Sequence, residues 1–494
     1  MRKLIRLYIL SIGLIFIMAG CGEDFISKTP QQSLSNETAI TDVSSANVAL
    51  NGIYSNLTEW QYYGRNLMLI PDLYADNSRM RVENAGRYLS IYRHSHTDGN
   101  AYTQDLWQRG YEIINSTNTL LRAMDNKNIE GPNIRGQALA IRALAHFDLV
   151  RTFAQPYNIS SSNSDVTPEG GANGNGGHLG VPVMTKPDPT ASPARNTVKE
   201  VYDQVIADLQ NAIDLMNAKT TYKMDANAAK ALLSRVYMYR ASGGGSDSDW
   251  EKVRDLALEV INSGRYSLVS NGEYLNSWKL DNHDEYMFYL KYRSDDYLYS
   301  NSLGAMYIPA SYGDVVATQD LLNLIPDGDI RQELYYGTYD GGFEDPYADN
   351  KGMPRYFIGK YPGREGIFGV DNLPVIRYTE VYLNLAEAYL NLGNNTQAEQ
   401  YLSDLVERVN PSGTVTDYGG TITEQVYNFR RIELAFEGHR FYDLKRRHQD
   451  LTRNDLTSGS VNAGLTFPDY RYVMPIPERE MEVNQNMVQN PEYN

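Results

Sequence analysis

The clearest helical pattern in the chain is YTEVYLNLAEAYLNLGNNTQAEQYLSDLVERV, residues 378–409. Apolar side chains recur at every third or fourth position of its first half, which places them on one face of a helix. Gly393 ends that helix, and a second helix, from Gln397 to Val409, stops before Pro411. The stretch therefore predicts an antiparallel helix pair. The apolar stripe consists of Tyr378, Val381, Tyr382, Leu385, Tyr389 and Leu392.

The same periodicity occurs earlier in the chain. It predicts helices at 107–124 and 133–153, at 197–216 and 227–239, and at 250–261. The fold class is therefore mainly α, built from helix pairs.

Small residues suggest how the pairs pack. Alanine stands at the close-contact positions Ala386, Ala388 and Ala398, as in tetratricopeptide-like repeats. The full repeat pattern is matched poorly, so we interpret the pairs as degenerate repeats. An irregular helical domain is the alternative.

Two long stretches separate the predicted helices. Residues 160–193 are rich in Ser, Gly, Asn and Pro and lack the Gly-Lys-Ser/Thr ending of a phosphate loop, which favours a surface loop. Residues 271–374 are rich in Tyr, Gly, Asp and Pro. Loops of this length are usually functional or disordered, and the aromatic content argues against disorder.

The first twenty residues have the pattern of an export signal. Basic residues precede an apolar run at 7–18, which is too short to span a membrane. The run ends in Met-Ala-Gly-Cys, which predicts cleavage after residue 20 and lipidation of Cys21, the only cysteine. Glu23 and Asp24 resemble a signal for export of lipoproteins to the cell surface, and a solvated acidic linker is the alternative.

Charge and tyrosine content restrict the function. The formal charge is −16, which argues against a nucleic-acid partner and against electrostatic docking on anionic lipid. Tyrosine is abundant, with 39 residues against 12 phenylalanines. Because tyrosine has an apolar face and a polar tip, this content suits both sugar stacking and helix packing at a wet surface.

The sequence singles out no catalytic residue. There is no Gly-x-Ser-x-Gly nucleophile motif, and no pattern selects a glycosidase pair among the 61 acids. Residues 431–446 gather several charges. On one helix Glu433, Glu437 and Arg440 would share a face, which we interpret as a structural ion-pair network.

Metal signals are weak. His94 and His96 stand two positions apart without a third partner nearby, so we interpret them as part of a polar loop. The acidic run around residue 345 lacks the EF-hand pattern, so we assign no metal and no cofactor. The acids of that run are Asp340, Glu344, Asp345 and Asp349.

Several segments together resemble the SusD/RagB family of starch-binding-like outer-membrane lipoproteins. The most specific is RIELAFEGHRFYDLKR at 431–446. The others match in the family's order along nearly the whole mature chain. They are CGEDF at 21–25, ALAIRALAHFDLVR at 138–151, VYDQVIADL at 201–209, AAKALLSRVY at 228–237, IRYTEVYLNLAEA at 376–388, MPIP at 474–477 and QNPEY at 489–493.

The resemblance implies a mainly α-helical fold with four degenerate repeat units and a loop-rich ligand-binding face. It implies a glycan ligand, a SusC-like TonB-dependent porin as partner, and a lipid anchor in the outer membrane with exposure at the cell surface. It implies no catalysis. Domains are expected at 1–20 (signal peptide), 21–270 (N-terminal repeats), 271–374 (loop-rich insert) and 375–494 (C-terminal part), within one mature unit, 21–494.

In that family, aromatic and polar side chains from an early and a central loop region form the site. Aromatic rings can stack on the C–H faces of a sugar, while Asp, Asn and Arg bond its hydroxyls. Each tyrosine could instead pack loops on helices. The expected site residues are Asp76, Asn77, Arg79, Arg81, Tyr88 and Tyr92 from the early region, and Trp278, Tyr292, Asp296, Tyr297, Tyr299 and Tyr307 from the central region.

Two other functions stay open. Aromatic rings with Arg and Asp also bind peptides, the RagB-like role. A helical-repeat scaffold could instead serve protein assembly without a small ligand.

Overall fold

The structure is a computed structural model that describes residues 39–81, 84–160, 165–167, 174–188, 190–217, 220–336, 356–454 and 463–493. The export signal, Cys21, Glu23, Asp24 and the acidic run 340–349 lie outside these residues. Within them, no helix combines the length and the apolar character that a membrane span requires.

Helices dominate the described chain. Seven are long: α1 (Val43–Leu57), α4 (Ala101–Asn126), α5 (Pro132–Phe153), α6 (Val198–Leu215), α7 (Ala226–Ala241), α8 (Asp247–Asn262) and α14 (Asn395–Val409). The others are α2 (Asn66–Tyr74), α3 (Leu89–Tyr92), α9 (Tyr274–Ser277), α10 (Leu303–Tyr307), α11 (Gln319–Leu322), α12 (Glu333–Tyr336), α13 (Tyr378–Asn391), α15 (Ile422–Glu433), α16 (Arg440–Arg446) and α17 (Glu478–Val483).

Three short antiparallel ribbons tie distant parts of the chain together. β1 (Ser78–Met80) pairs with β3 (Val315–Ala317), and β2 (Tyr286–Leu290) pairs with β4 (Leu373–Arg377). β5 (Leu451–Thr452) pairs with β6 (Gly464–Leu465). The first two ribbons anchor the central region to the early loops and to the start of α13.

Seven of the helices, α4 to α8, α13 and α14, form a stack that follows chain order. α4 packs on α5, α5 on α6, α6 on α7, and α7 on α8. α8 then packs on α13, which packs on α14, although more than a hundred residues separate α8 from α13. The predicted helices and the mainly α fold are therefore confirmed. That the pairs are tetratricopeptide-like stays a prediction.

Local sequence explains the ends and spacing of these helices. Thr197 and Glu200 form a capping box at the start of α6. Gly393 follows α13 with a φ of 75°, the left-handed conformation predicted for it. At Gly136 in α5, a Cβ would lie 3.0 Å from the Ala212 carbonyl oxygen of α6, so glycine permits the close approach of these helices.

Candidate ligand-binding site

The segment 431–446 is not one helix. α15 ends at Glu433 and α16 begins at Arg440, because the backbone between them adopts positive φ at Phe436 (66°) and Gly438 (77°). A Cβ at Gly438 would lie 2.5 Å from the Leu67 carbonyl oxygen, so the chain presses on α2 here. The prediction of one helix face shared by Glu433, Glu437 and Arg440 was wrong.

A buried ion network occupies this corner instead. The Glu433 carboxylate lies 2.9 Å from Arg408, 3.0 Å from Arg377 and 3.1 Å from Arg331. Burial alone would raise the pKa of Glu433, but these three guanidinium groups hold it well below its usual value. Glu437 pairs with Arg377 and with Lys360. The segment thus stabilises the fold through paired charges.

The expected site residues of the early region are engaged within the protein. Asp76 receives two hydrogen bonds from Arg440, at 2.6 and 2.8 Å, and Asn77 donates to Asp72. Arg81 is half-buried and donates to the Tyr312 carbonyl. The remaining three, Arg79, Tyr88 and Tyr92, are buried.

Three expected residues of the central region are also interior. Trp278 packs against Tyr361, and Tyr307 stacks on the same ring. The Tyr292 hydroxyl donates to the Thr58 carbonyl at 2.6 Å. In this structure the three rings pack inside the protein and fasten the loops, and a ligand-binding role for them stays a prediction.

The remaining three expected residues lie together at the surface. Tyr297 and Tyr299 have ring centroids 4.1 Å apart, and Tyr299 is 62% exposed. Asp296 is exposed beside them. The Arg293–Asp295 ion pair and the hydrogen bonds between the Arg293 and Asp296 backbones close the tight turn that presents these rings.

Residues that the sequence did not single out complete this surface. Trp60 is half-exposed, with the Arg65 guanidinium 4.5 Å from its ring. Arg65 also donates to the side chain of Asn301 at 3.5 Å. A Cβ at Gly64 would meet Leu298, so the turn after α1 touches the loop of Tyr297 and Tyr299. The aromatic residues within 60–63 are the feature of the sequence that could have pointed to this surface.

A fourth aromatic ring, that of Phe368, joins those of Tyr297, Tyr299 and Trp60, and it is 36% exposed. It belongs to a loop that contacts the backbone of the Tyr299 loop, because a Cβ at Gly369 would lie 3.0 Å from the Tyr299 carbonyl oxygen. We name Trp60, Tyr297, Tyr299 and Phe368 the aromatic patch. Its rings offer apolar faces to a ligand, while Asp296 and Asn301 supply polar groups at its edge.

A groove of about 440 Å³ lies elsewhere, between α4, residues 182–193 and α17. The two aromatic side chains that line this groove each donate a hydrogen bond within the protein. Trp107 is buried and donates to Glu480 at 3.4 Å, and Tyr111 donates to the Pro182 carbonyl at 2.9 Å. The Trp107 ring is therefore less accessible to a ligand than the Tyr299 ring of the aromatic patch.

Family models match both halves of the chain. One, described as SusD family, matches residues 278–493, and a second, described as starch-binding associating with outer membrane, matches residues 24–238. A solved structure of a putative sugar binding protein from Bacteroides vulgatus is 30% identical, covers 92% of this chain and 100% of that chain, and has a TM-score of 0.79. The chain belongs to the SusD family.

Other relatives agree over the full length. A SusD superfamily structure from Bacteroides thetaiotaomicron is 28% identical, covers 91% of this chain and 99% of that one, and has a TM-score of 0.79. SusD-like protein P2 of Formosa agariphila is 24% identical over 97% of this chain and 98% of its own length. The predicted SusD/RagB membership is thus confirmed, in a family described by starch binding and outer-membrane association.

One buried carboxyl holds the Phe368 loop of this SusD-family protein. Asp371 is 3% exposed, and its carboxylate accepts a hydrogen bond from the Gly363 backbone at 2.7 Å. Burial raises the pKa of Asp371 to about 7. Because the folded pKa lies above the unfolded value of roughly 4, the stability that this group contributes is complete below roughly pH 4 and is lost as the pH rises to 7.

The variant Asp371→Asn cannot ionise at this position. Relative to the parent, the variant is expected to be more stable at pH 8 than at pH 5, with a free energy of unfolding that is larger by roughly 2–3 kcal/mol at the higher pH. Denaturant titrations at both pH values measure this difference. Asp255→Asn, at an exposed position on α8, is the control and should show no such difference. Parallel pH profiles for Asp371→Asn and the parent would contradict the assignment.

Proposed function

We propose that the chain is a cell-surface lipoprotein that captures an oligo- or polysaccharide and delivers it to a SusC-like TonB-dependent porin. It binds the glycan at the aromatic patch and performs no catalysis. The observation that carries the proposal is the patch itself, in which four exposed or half-exposed rings from adjoining loops gather on a SusD-family fold.

The chemistry of the patch suits a sugar. A pyranose ring has apolar C–H faces and a hydroxyl edge. Tyr297, Tyr299 and Trp60 supply surfaces for the faces, and Asp296 and Asn301 supply acceptors for the hydroxyls. The loops are fastened by buried contacts such as that of Tyr292 with Thr58, so little order need be gained on binding.

The pairing of the acidic residues in the family motif supports the absence of catalysis. Glu433, Glu437 and Asp443 are buried and each is paired with arginine. Carboxylates held as ion-pair partners are poorly placed for the proton transfers of glycoside hydrolysis.

Delivery assigns roles to the remaining parts of the chain. Lipid on Cys21 holds the protein at the outer membrane, with Glu23 and Asp24 directing it to the cell surface. The helical stack faces the porin, and the loops of the insert 271–374 face the ligand. The boundaries after residues 20, 270 and 374 remain part of this proposal.

The lipid anchor is tested by Cys21→Ser. We expect the variant to be lost from the outer-membrane fraction, because the acyl chains supply the attachment to that membrane. Immunoblots of fractionated cells measure the distribution, with a Ser27→Ala chain as the control. A Cys21→Ser protein that stays in the outer membrane would contradict the anchor while leaving glycan capture untouched.

Glycan capture is tested by native affinity electrophoresis. A chain that lacks residues 1–21 is run through gels that contain a panel of soluble polysaccharides. Selective retardation by a polymer supports the proposal. If no polymer retards the chain and a peptide mixture is bound instead, the RagB-like alternative holds. If neither is bound and only the porin is captured, the chain is a scaffold.

A further inference from the structure

A second pocket lies in the helical part of the molecule, on elements that the aromatic patch does not use. It has a volume of about 400 Å³, opens to the surface and is lined by residues of α8, the end of α13, α15 and the segment that follows α16. That volume is in the range of small-molecule sites. We name it the Arg447 pocket, and the residues used below are Asn391, Glu424, Tyr427, Asn428, Arg447 and Gln449.

The Arg447 side chain is held in place by two contacts. Its Nε donates to the Asp443 carbonyl oxygen at 3.0 Å, and its guanidinium carbon lies 3.8 Å from the centroid of the Tyr427 ring. Within the part of the chain that the structure describes, no carboxylate lies within 4.0 Å of this guanidinium. The two terminal nitrogens are therefore available to a ligand.

The neighbouring carboxylates are already committed. Asp443 pairs with Arg430 and Arg446, each at 2.9 Å, and Glu387 pairs with Arg446 at 2.5 Å. Burial and the adjacent Arg446 lower the pKa of Arg447 to about 10, so the group remains charged at neutral pH. A bound anion would offset the charge of Arg447.

Three amide side chains line the pocket and could recognise hydroxyl groups of a ligand. Asn391 donates to the Glu387 carbonyl at 2.8 Å, Asn428 donates to the Tyr418 carbonyl at 2.8 Å, and Gln449 donates to the Arg447 carbonyl at 3.2 Å. These bonds orient the amides. The side-chain oxygens of Asn428 and Gln449 accept no hydrogen bond from the described residues, so they can accept from hydroxyl groups of a ligand.

We infer that the Arg447 pocket binds a sugar acid, with the carboxylate on Arg447 and the hydroxyls on the amide oxygens. This site is separate from the aromatic patch and does not depend on the ligand bound there. Glu424 stands at the edge of the pocket, where one carboxylate oxygen accepts from the Thr421 backbone at 2.9 Å. Its negative charge would oppose the bound carboxylate.

Calorimetric titration with glucuronate and with glucose tests the inference, because the two ligands share hydroxyls and differ in the carboxylate. We expect glucuronate to bind at least about tenfold more tightly than glucose, since a charge-assisted pair with arginine is lost in glucose. Arg447→Gln should remove this preference, and Glu424→Gln should strengthen glucuronate binding. Asp203→Asn, on the exposed face of α6 and outside both sites, should leave glucuronate binding unchanged.

Several outcomes would overturn the assignment. These are equal binding of glucuronate and glucose, no binding of either at millimolar concentration, or binding of acetate as tight as that of glucuronate. Because Arg447→Gln could perturb the fold, glucuronate binding to Glu424→Gln is measured as a second, independent test. If this substitution fails to change glucuronate binding in a chain with an unaltered unfolding midpoint, the carboxylate does not occupy this pocket.

Discussion

Glu433→Gln is expected to lower the free energy of unfolding by about 3–5 kcal/mol, the cost of breaking a buried charge network at one member. The substitution keeps the size of the side chain but removes the charge that compensates Arg331, Arg377 and Arg408. These guanidinium groups are buried, so water cannot replace the lost partner.

Urea titration followed by circular dichroism measures the effect. Asp203→Asn provides a matched control, because Asp203 pairs with Lys199 on the exposed face of α6. Exposed pairs contribute about 0–1 kcal/mol, so the control should unfold close to the parent. If Glu433→Gln and Asp203→Asn shift the midpoint equally, the network does not have the stabilising role assigned to it.

The double variant Trp60→Ala/Tyr299→Ala is expected to weaken binding of a retained glycan by at least about tenfold, since aromatic anchors at the centre of a site each contribute on the order of 1–2 kcal/mol. Tyr299 is largely exposed and Trp60 half-exposed, so the fold should survive the change. Dissociation constants from calorimetry and unfolding midpoints, measured on the same samples, separate the two effects.

Tyr401→Ala is the control for loss of a tyrosine outside the patch. Tyr401 is half-buried on α14, where it stacks on Tyr389 of α13. The Tyr401→Ala variant should bind the glycan with the affinity of the parent. Equal affinities for the double variant and the parent would remove the aromatic patch from the binding site, whatever the ligand.

The helices were predictable because their signals are local. The stripe from Tyr378 to Leu392 and the glycine after it define α13 without reference to any other part of the chain. The break after Glu433 was not predictable in this way. It depends on the contact of Gly438 with Leu67, a residue more than 350 positions away.

The site was predictable only in part, because tyrosine has two uses in this molecule. Tyr292 and Tyr299 lie in the same loop and have the same chemistry, yet one is buried against Thr58 and the other is exposed. Tertiary packing decides which of the two is buried, and no periodicity in the sequence indicates that difference. Trp60 and Phe368 were not proposed from the sequence, because Trp60 precedes the early region and Phe368 lies far along the chain from the other aromatic residues chosen in the central region.

A crystal structure with a bound oligosaccharide of the retained polymer tests the central claim most directly. The account predicts sugar rings stacked on Tyr299 and Trp60, with hydroxyls near Asp296 and Asn301. Density for the oligosaccharide in the groove along α4, with the aromatic patch empty, would contradict it.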